Sequence, residues 1–228
     1  GKVSANHVWG NAASVLVGDF LYSKSFRLMT DDGNLAILKL LSTTTNTMSE
    51  GEVFQLVKAG DVSLTEKQYL SIVEKKTSIL ISAACAIGGI LGNVPDSRIE
   101  ELTRFGMRLG NAFQITDDTL DYVADEQEFG KTVGHDLKEG KLTLPLIRTM
   151  KKCTPEERSF IRKGIEEKDE ASMAAIMTLI NRYDGIPYAL AKAKACIDEA
   201  KGFLVSFADS EAKTALHTIA DYIIERRI

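Results

Sequence analysis

The chain has 228 residues, 44% hydrophobic and 26% charged, with a formal charge of -4. That length suits one large domain with a real core, and the acidic balance argues against a nucleic-acid binder without excluding a locally basic pocket for phosphate. Three widely spaced cysteines, Cys85, Cys153 and Cys196, provide neither a disulfide framework nor a metal cluster, which points to a reducing cytosol. The longest apolar run, Ile79 to Leu91, falls well short of the roughly 20 residues that span a bilayer. No signal-peptide pattern opens the sequence, which begins on Gly1-Lys2.

Helix-period patterning predicts helices at 11–30, 34–59, 65–92, 96–123, 142–152, 155–167, 171–183, 186–207 and 210–226, and alternating strand-type runs are nearly absent. The fold class is therefore all-α, a bundle of long helices. Thr65-Glu66-Lys67-Gln68 and Thr154-Pro155-Glu156-Glu157 are capping boxes, and the second has proline at the first helical position. Asp184-Gly185 suits a helix end, with glycine left-handed. The second half of 65–92 is apolar all round, as expected of a helix enclosed by others. Residues 124–141 read as a polar, glycine-containing loop, long enough to be functional.

On the helix at 96–123, Leu102, Phe105, Leu109, Ala112, Phe113, Thr116 and Leu120 form a core stripe. Gln114, Asp117, Asp118 and Asp121 take i, i+3, i+4, i+7 spacing on another face. Carboxylates gathered there repel one another unless water or cations screen them, and magnesium favours such hard oxygen ligands. A solvated acidic helix face is the plainer alternative. The loop after this helix favours a phosphate site: Gly130, Gly134 and Gly140 permit close backbone approach, and Lys131 and Lys141 are placed to fold back toward the acids. Lys138, in the same loop, reads as a solvated charge.

Taken in order, Trp9-Gly10-Asn11, Ser14 to Phe20, Glu50-Gly51-Glu52-Val53, Lys76-Thr77, Phe113 to Tyr122, Gly130 to Lys141, Thr143-Leu144-Pro145 and the terminal Ala220 to Arg226 resemble the trans-isoprenyl (polyprenyl) diphosphate synthases. The bacterial long-chain type that includes the octaprenyl enzymes is the nearest pattern. The resemblance implies an isoprenoid-synthase-type bundle around a central cavity, lined in part by the apolar residues of 12–29 and 34–56. It also implies a magnesium-dependent condensation of isopentenyl diphosphate with an allylic diphosphate. By the same resemblance Asp117, Asp118 and Asp121 hold Mg2+, while Lys76 and Lys131 contact the allylic diphosphate, with Lys141 a further candidate. Thr77 and Gln114 line the reaction centre, and Glu52 and Gln55 face the cavity from a neighbouring helix. No protein nucleophile is needed, so His7, His135 and His217 read as structural or solvated.

Family members of this type pair through the helix corresponding to 11–30, where Val15, Leu16, Phe20 and Phe26 accompany Ala12, Ala13 and Ser14. A homodimer is expected, with membrane association through the product only. The family's first aspartate-rich motif and its following arginine pair are not in this sequence; both, and the earlier helices, would precede Gly1. A remainder of an active enzyme is the expected explanation, with a non-catalytic or regulatory subunit as the alternative. On that footing the chain alone is expected not to elongate an allylic substrate. A terpene cyclase is disfavoured because its second metal motif is usually of Asn/Ser/Glu type.

Overall fold

The computed structural model describes residues 3–123, 135–167 and 170–226. Among these residues helices are the only regular elements: α1 (Ala5–Asp32), α2 (Leu35–Lys58), α3 (Glu66–Val73), α4 (Ile79–Leu91), α5 (Asp96–Leu120), α6 (His135–Lys138), α7 (Leu144–Lys152), α8 (Pro155–Glu167), α9 (Glu170–Arg182), α10 (Gly185–Phe203) and α11 (Glu211–Glu225). The chain divides into two compact units, residues 1–43 and 44–228.

In the first unit, α1 is kinked where Gly10 adopts φ 82 and ψ 161. It ends on a left-handed Gly33 whose N–H bonds the Thr30 carbonyl, and Asn34 Oδ1 then accepts from the N–H groups of Ala36 and Ile37 to start α2. None of the α1 residues is buried; Val15, Leu16, Val17, Phe20 and Leu21 are all exposed.

In the second unit α5 is the central element. It runs antiparallel to α4, since Gly89 lies against Ile99 and Leu102, Gly106 against Ser82, and Gly110 against Ser78. One apolar cluster joins Tyr69, Ile72, Val73 and Ile115 to Leu144, Leu146, Ile161, Ile176 and Ile180. A second joins Phe105, Leu109 and Ala112 of α5 to Ile197 and Ala200 of α10 and to Ala220 and Ile223 of α11. Both capping boxes form. Thr65 Oγ1 accepts from Gln68 N while Gln68 Oε1 accepts from Thr65 N, and Thr154 and Glu157 make the same reciprocal pair.

Five local expectations are corrected. The helix read as continuous over 65–92 contains a π-helical turn, Glu74–Ser78. Its second half is not enclosed on all sides, because it packs along one face on α5 and leaves Leu80 and Leu91 exposed. The left-handed residue before α10 is Asp184 (φ 54), and Gly185 opens that helix instead. A Cβ at 185 would stand 2.5 Å from the Pro145 carbonyl, so the glycine serves close approach and the turn falls to aspartate, which tolerates this conformation. Within 124–141, residues 135–138 form a short helix and 124–134 lie outside the described residues. Finally, α5 ends at Leu120, where Tyr122 and Val123 N–H bond the carbonyls of Thr119 and Leu120 in a tightened last turn.

Candidate active site

A cavity of about 950 Å3 opens in the second unit. Gln55 and Lys58 of α2 line it, with Tyr69, Ile72 and Val73 of α3, and Lys76 and Thr77 of the π turn. From α5 and its C-terminus come Gln114, Asp117, Asp118, Leu120 and Asp121, and from the next segment Asp136, Glu139 and Lys141. The last turn of α11 and the residue after it contribute Tyr222, Glu225 and Arg226. Of the residues expected from sequence, Asp117, Asp118, Asp121, Gln114, Lys76, Thr77, Gln55 and Lys141 thus share one wall system. Lys131 lies outside the described residues. Glu52 does not line the cavity but pairs with the Lys76 ammonium at 3.2 Å.

The helical spacing of the acidic stripe holds, yet its members have different environments. Asp117 is exposed, whereas Asp118 is buried and accepts two hydrogen bonds, from Tyr69 Oη at 2.6 Å and Gln114 Nε2 at 2.7 Å. Gln114 Oε1 in turn accepts from Thr77 Oγ1 at 2.8 Å. A hydrogen-bonded row, Thr77–Gln114–Asp118–Tyr69, therefore runs across the cavity wall from the π turn to α3. Asp121 accepts the Asp136 backbone N–H, which ties the end of α5 to α6.

The cationic side is arranged by α2 and the α6–α7 connection. Lys76 Nζ donates to Gln55 Oε1 at 2.7 Å and to Glu52, so α2 fixes where this ammonium stands. Lys141 pairs with Asp136 at 3.1 Å and Glu139 at 2.7 Å. Burial works against its charge, but those two carboxylates outweigh it and hold the ammonium above the usual lysine range. Gly60 N–H donates to the Gly140 carbonyl at 2.9 Å, joining the α2–α3 connection to the same rim.

Burial is the main cause that pushes the Asp118 carboxyl up to about 7, and the nearby Asp136 and Asp117 charges add to it. The bonds from Tyr69 and Gln114 oppose the rise. The folded protein then keeps a proton that the unfolded chain loses near a carboxyl's ordinary pKa of about 4. Stability accordingly falls as pH rises from about 4 to about 7, by up to a few kcal/mol, and is flat in this respect above. Asp118→Asn is expected to flatten that window in metal-free protein. Urea midpoints of both proteins across that pH range check it; parallel profiles would contradict the burial argument.

No three Asp, Glu, His or Cys side chains converge as a ready metal nest among the described residues. Magnesium is usually held by one or two carboxylates together with water and phosphate oxygens, not by an all-protein cage. An exposed Asp117 that lines the cavity beside further carboxylates is a donor set of that kind.

A family model described as polyprenyl synthetase matches residues 1–182. The chain belongs to the polyprenyl synthetase family. It is 38% identical over 227 residues to the octaprenyl diphosphate synthase of Escherichia coli (strain K12), an alignment covering 99% of this chain and 70% of that relative. The crystal structure of a decaprenyl diphosphate synthase from Rhodobacter capsulatus matches with a TM-score of 0.93 at 38% identity, over 99% of this chain and 70% of that one. The polyprenyl synthase from Caulobacter crescentus CB15, complexed with calcium and isoprenyl diphosphate, matches with a TM-score of 0.93 at 36% identity, over 100% and 70%. As a polyprenyl synthetase this chain is a prenyltransferase of the trans type with the all-α isoprenoid-synthase fold. No helix among the described residues is long and apolar enough to cross a membrane.

Sequence reasoning missed several cavity residues of this polyprenyl synthetase. Tyr69 had a usable signal, since it stands seven residues before Lys76 on one helix face and two turns of helix superpose them. Tyr222, Glu225 and Arg226 lie within the Ala220 to Arg226 segment that carries part of the resemblance, but no site role was read there; they reach the cavity because α11 packs on α5 through Ala220 and Ile223. The Arg226 guanidinium lies 4.6 Å over the Phe113 ring, directly before Gln114.

Proposed function

We propose that this polyprenyl synthetase condenses isopentenyl diphosphate with an allylic diphosphate such as farnesyl diphosphate, lengthening an all-trans polyprenyl chain in a Mg2+-dependent reaction. The observation that carries this reading is one cavity lined both by Asp117, Asp118 and Asp121 and by Lys76, with Thr77 hydrogen-bonded to Gln114 on the same lining. Asp117 would hold the metal, with Asp118 and Asp121 in support. Bound there, Mg2+ would offset the negative charge of a diphosphate leaving group.

The protein's own groups do the rest. Lys76, held by Gln55 and Glu52, is aimed at the diphosphate and stabilises charge that grows as the allylic C–O bond breaks. Lys131 and Lys141 are proposed for the same diphosphate. Thr77 and Gln114 turn polar oxygens toward the carbon that becomes positive. The double bond of isopentenyl diphosphate attacks that carbon, and the proton lost afterwards goes to the departing diphosphate, so no side-chain nucleophile or base is required. Ile72, Val73, Leu64 and Leu142 provide apolar wall for a prenyl chain.

The test supplies Mg2+, farnesyl diphosphate and labelled isopentenyl diphosphate to the chain alone, and to the chain with a polypeptide carrying a first aspartate-rich motif. Label is expected in organic-extractable polyprenyl product in at least one arm. Incorporation in neither arm, with no binding of farnesyl diphosphate, would remove the reading.

We also propose that the whole chain acts as one functional domain in the cytosol, that it meets membranes only through its product, and that it pairs as a two-fold homodimer through α1. The exposed Val15, Leu16 and Phe20 of that helix support an isologous apolar contact. Light scattering at micromolar concentration should return twice the chain mass. A monomer mass would count against this assembly.

A further inference from the structure

We propose that Asn111 and Ser78 are positioning residues for the diphosphate-facing pair Lys76 and Thr77, acting by locking the π turn that carries the pair. The inference rests on the proposed function, in which Lys76 and Thr77 face the allylic diphosphate.

The turn at Glu74–Ser78 departs from α-helical bonding, with Ile79 N–H donating to the carbonyl of Glu74, five residues earlier. Such bulges are rare inside α-helices, occur often at functional sites, and alter the phase of the helix beyond them. Eleven residues make close to three α-helical turns, so an unbroken helix would carry Leu80 onto the face of Tyr69. Instead Tyr69 is 4% exposed and Leu80 44% exposed, while Ser78, Ser82 and Ala86 are buried, Ser78 and Ser82 against Gly110 and Gly106 of α5. Propensity does not account for the extra residue in the turn, so tertiary contacts must hold it.

Those contacts are specific. Ser78 is fully buried, and its hydroxyl donates to Asn111 Oδ1 at 2.6 Å, with the Val73 carbonyl a further 3.3 Å partner. Asn111, also buried, directs its Nδ2 at Glu74 Oε1 from 3.5 Å. One amide of α5 thus addresses both ends of the turn, Glu74 and Ser78. The backbone is gripped as well. A Cβ on Gly110 would lie 2.5 Å from Ser78 Cα, and one on Gly51 would lie 2.9 Å from Lys76 N. Two glycines on separate helices therefore let α2 and α5 close on the turn from either side. Lys76 and Thr77 sit between these grips, with Gln55 and Gln114 receiving their side chains. Neither Asn111 nor Ser78 lines the cavity, so any effect on ligand must pass through the pair they place.

The experiment is a mutant cycle read by calorimetric titration of farnesyl diphosphate in Mg2+. Asn111→Ala and Ser78→Ala are each expected to weaken binding by about tenfold in the parent protein, yet by less than about twofold in a Lys76→Ala, Thr77→Val background. Equal weakening in both backgrounds, or none in either, would overturn the inference while leaving the proposed function intact. Should Asn111→Ala fail to fold, Ser78→Ala removes a single oxygen and runs the same cycle. A parent protein that binds no farnesyl diphosphate would overturn the proposed function and this inference together.

Discussion

Asp117→Ala is expected to lower turnover on the order of a thousandfold, in whichever form of the protein elongates an allylic diphosphate, while the melting temperature hardly moves. Asp117 is the exposed member of the acidic stripe, at a cavity wall shared with Asp118, Asp121 and Asp136. A carboxylate there is free to take a metal, and losing that ligand removes several kcal/mol of charge stabilisation felt only as diphosphate departs. The same carboxylate adds to the repulsion that raises Asp118, so deleting it relieves folded-state strain in the metal-free protein. Steady-state incorporation of labelled isopentenyl diphosphate and a thermal melt check both halves. Parent-like turnover in the variant would sink the assignment of Asp117, and a large fall in melting temperature would show a structural role.

The largest expected stability effect lies away from the acids. Phe105→Ala should destabilise the fold by about 3–5 kcal/mol, because it deletes a large core ring and leaves a cavity that helices can only partly close. Phe105 is 0% exposed, in the cluster where α5 meets α10 and α11. For a chain of this size that loss corresponds to a fall in melting temperature on the order of 10 °C. Because α11 rests on this cluster through Ala220 and Ile223, the variant should also loosen the seating of Tyr222, Glu225 and Arg226 at the cavity. Calorimetric melts measure the first effect. Faster hydrogen exchange along α11, beyond that along α8, would show the second; equal exchange would refute it.

Much of this molecule is set by periodicity within single helices. Eleven-to-eighteen-residue windows with apolar positions three and four apart leave little choice but α-helix. The predicted starts at 65 and 155 survive because capping is a bond between residues three apart. The acidic face is legible for the same reason: Gln114, Asp117, Asp118 and Asp121 share a side of α5 whatever surrounds it, and all four meet the cavity.

What tertiary structure alone decided depends on partners far away in the chain. The burial of Asp118 and its bond from Tyr69, 49 residues earlier, separate it chemically from its neighbour Asp117. Gln55 and Glu52 of α2 decide where the Lys76 ammonium stands, and α11 brings Tyr222, Glu225 and Arg226 to the cavity. The π turn is the clearest case. Its hydrogen bonds slip by one residue because Gly51 and Gly110 admit neighbouring helices within side-chain distance and Asn111 meets Ser78 across that gap. A sequence sets each helix's own period, since that is a matter of adjacent residues; the interruption of a period, and the field around each carboxylate, come from what the packed helices press against them.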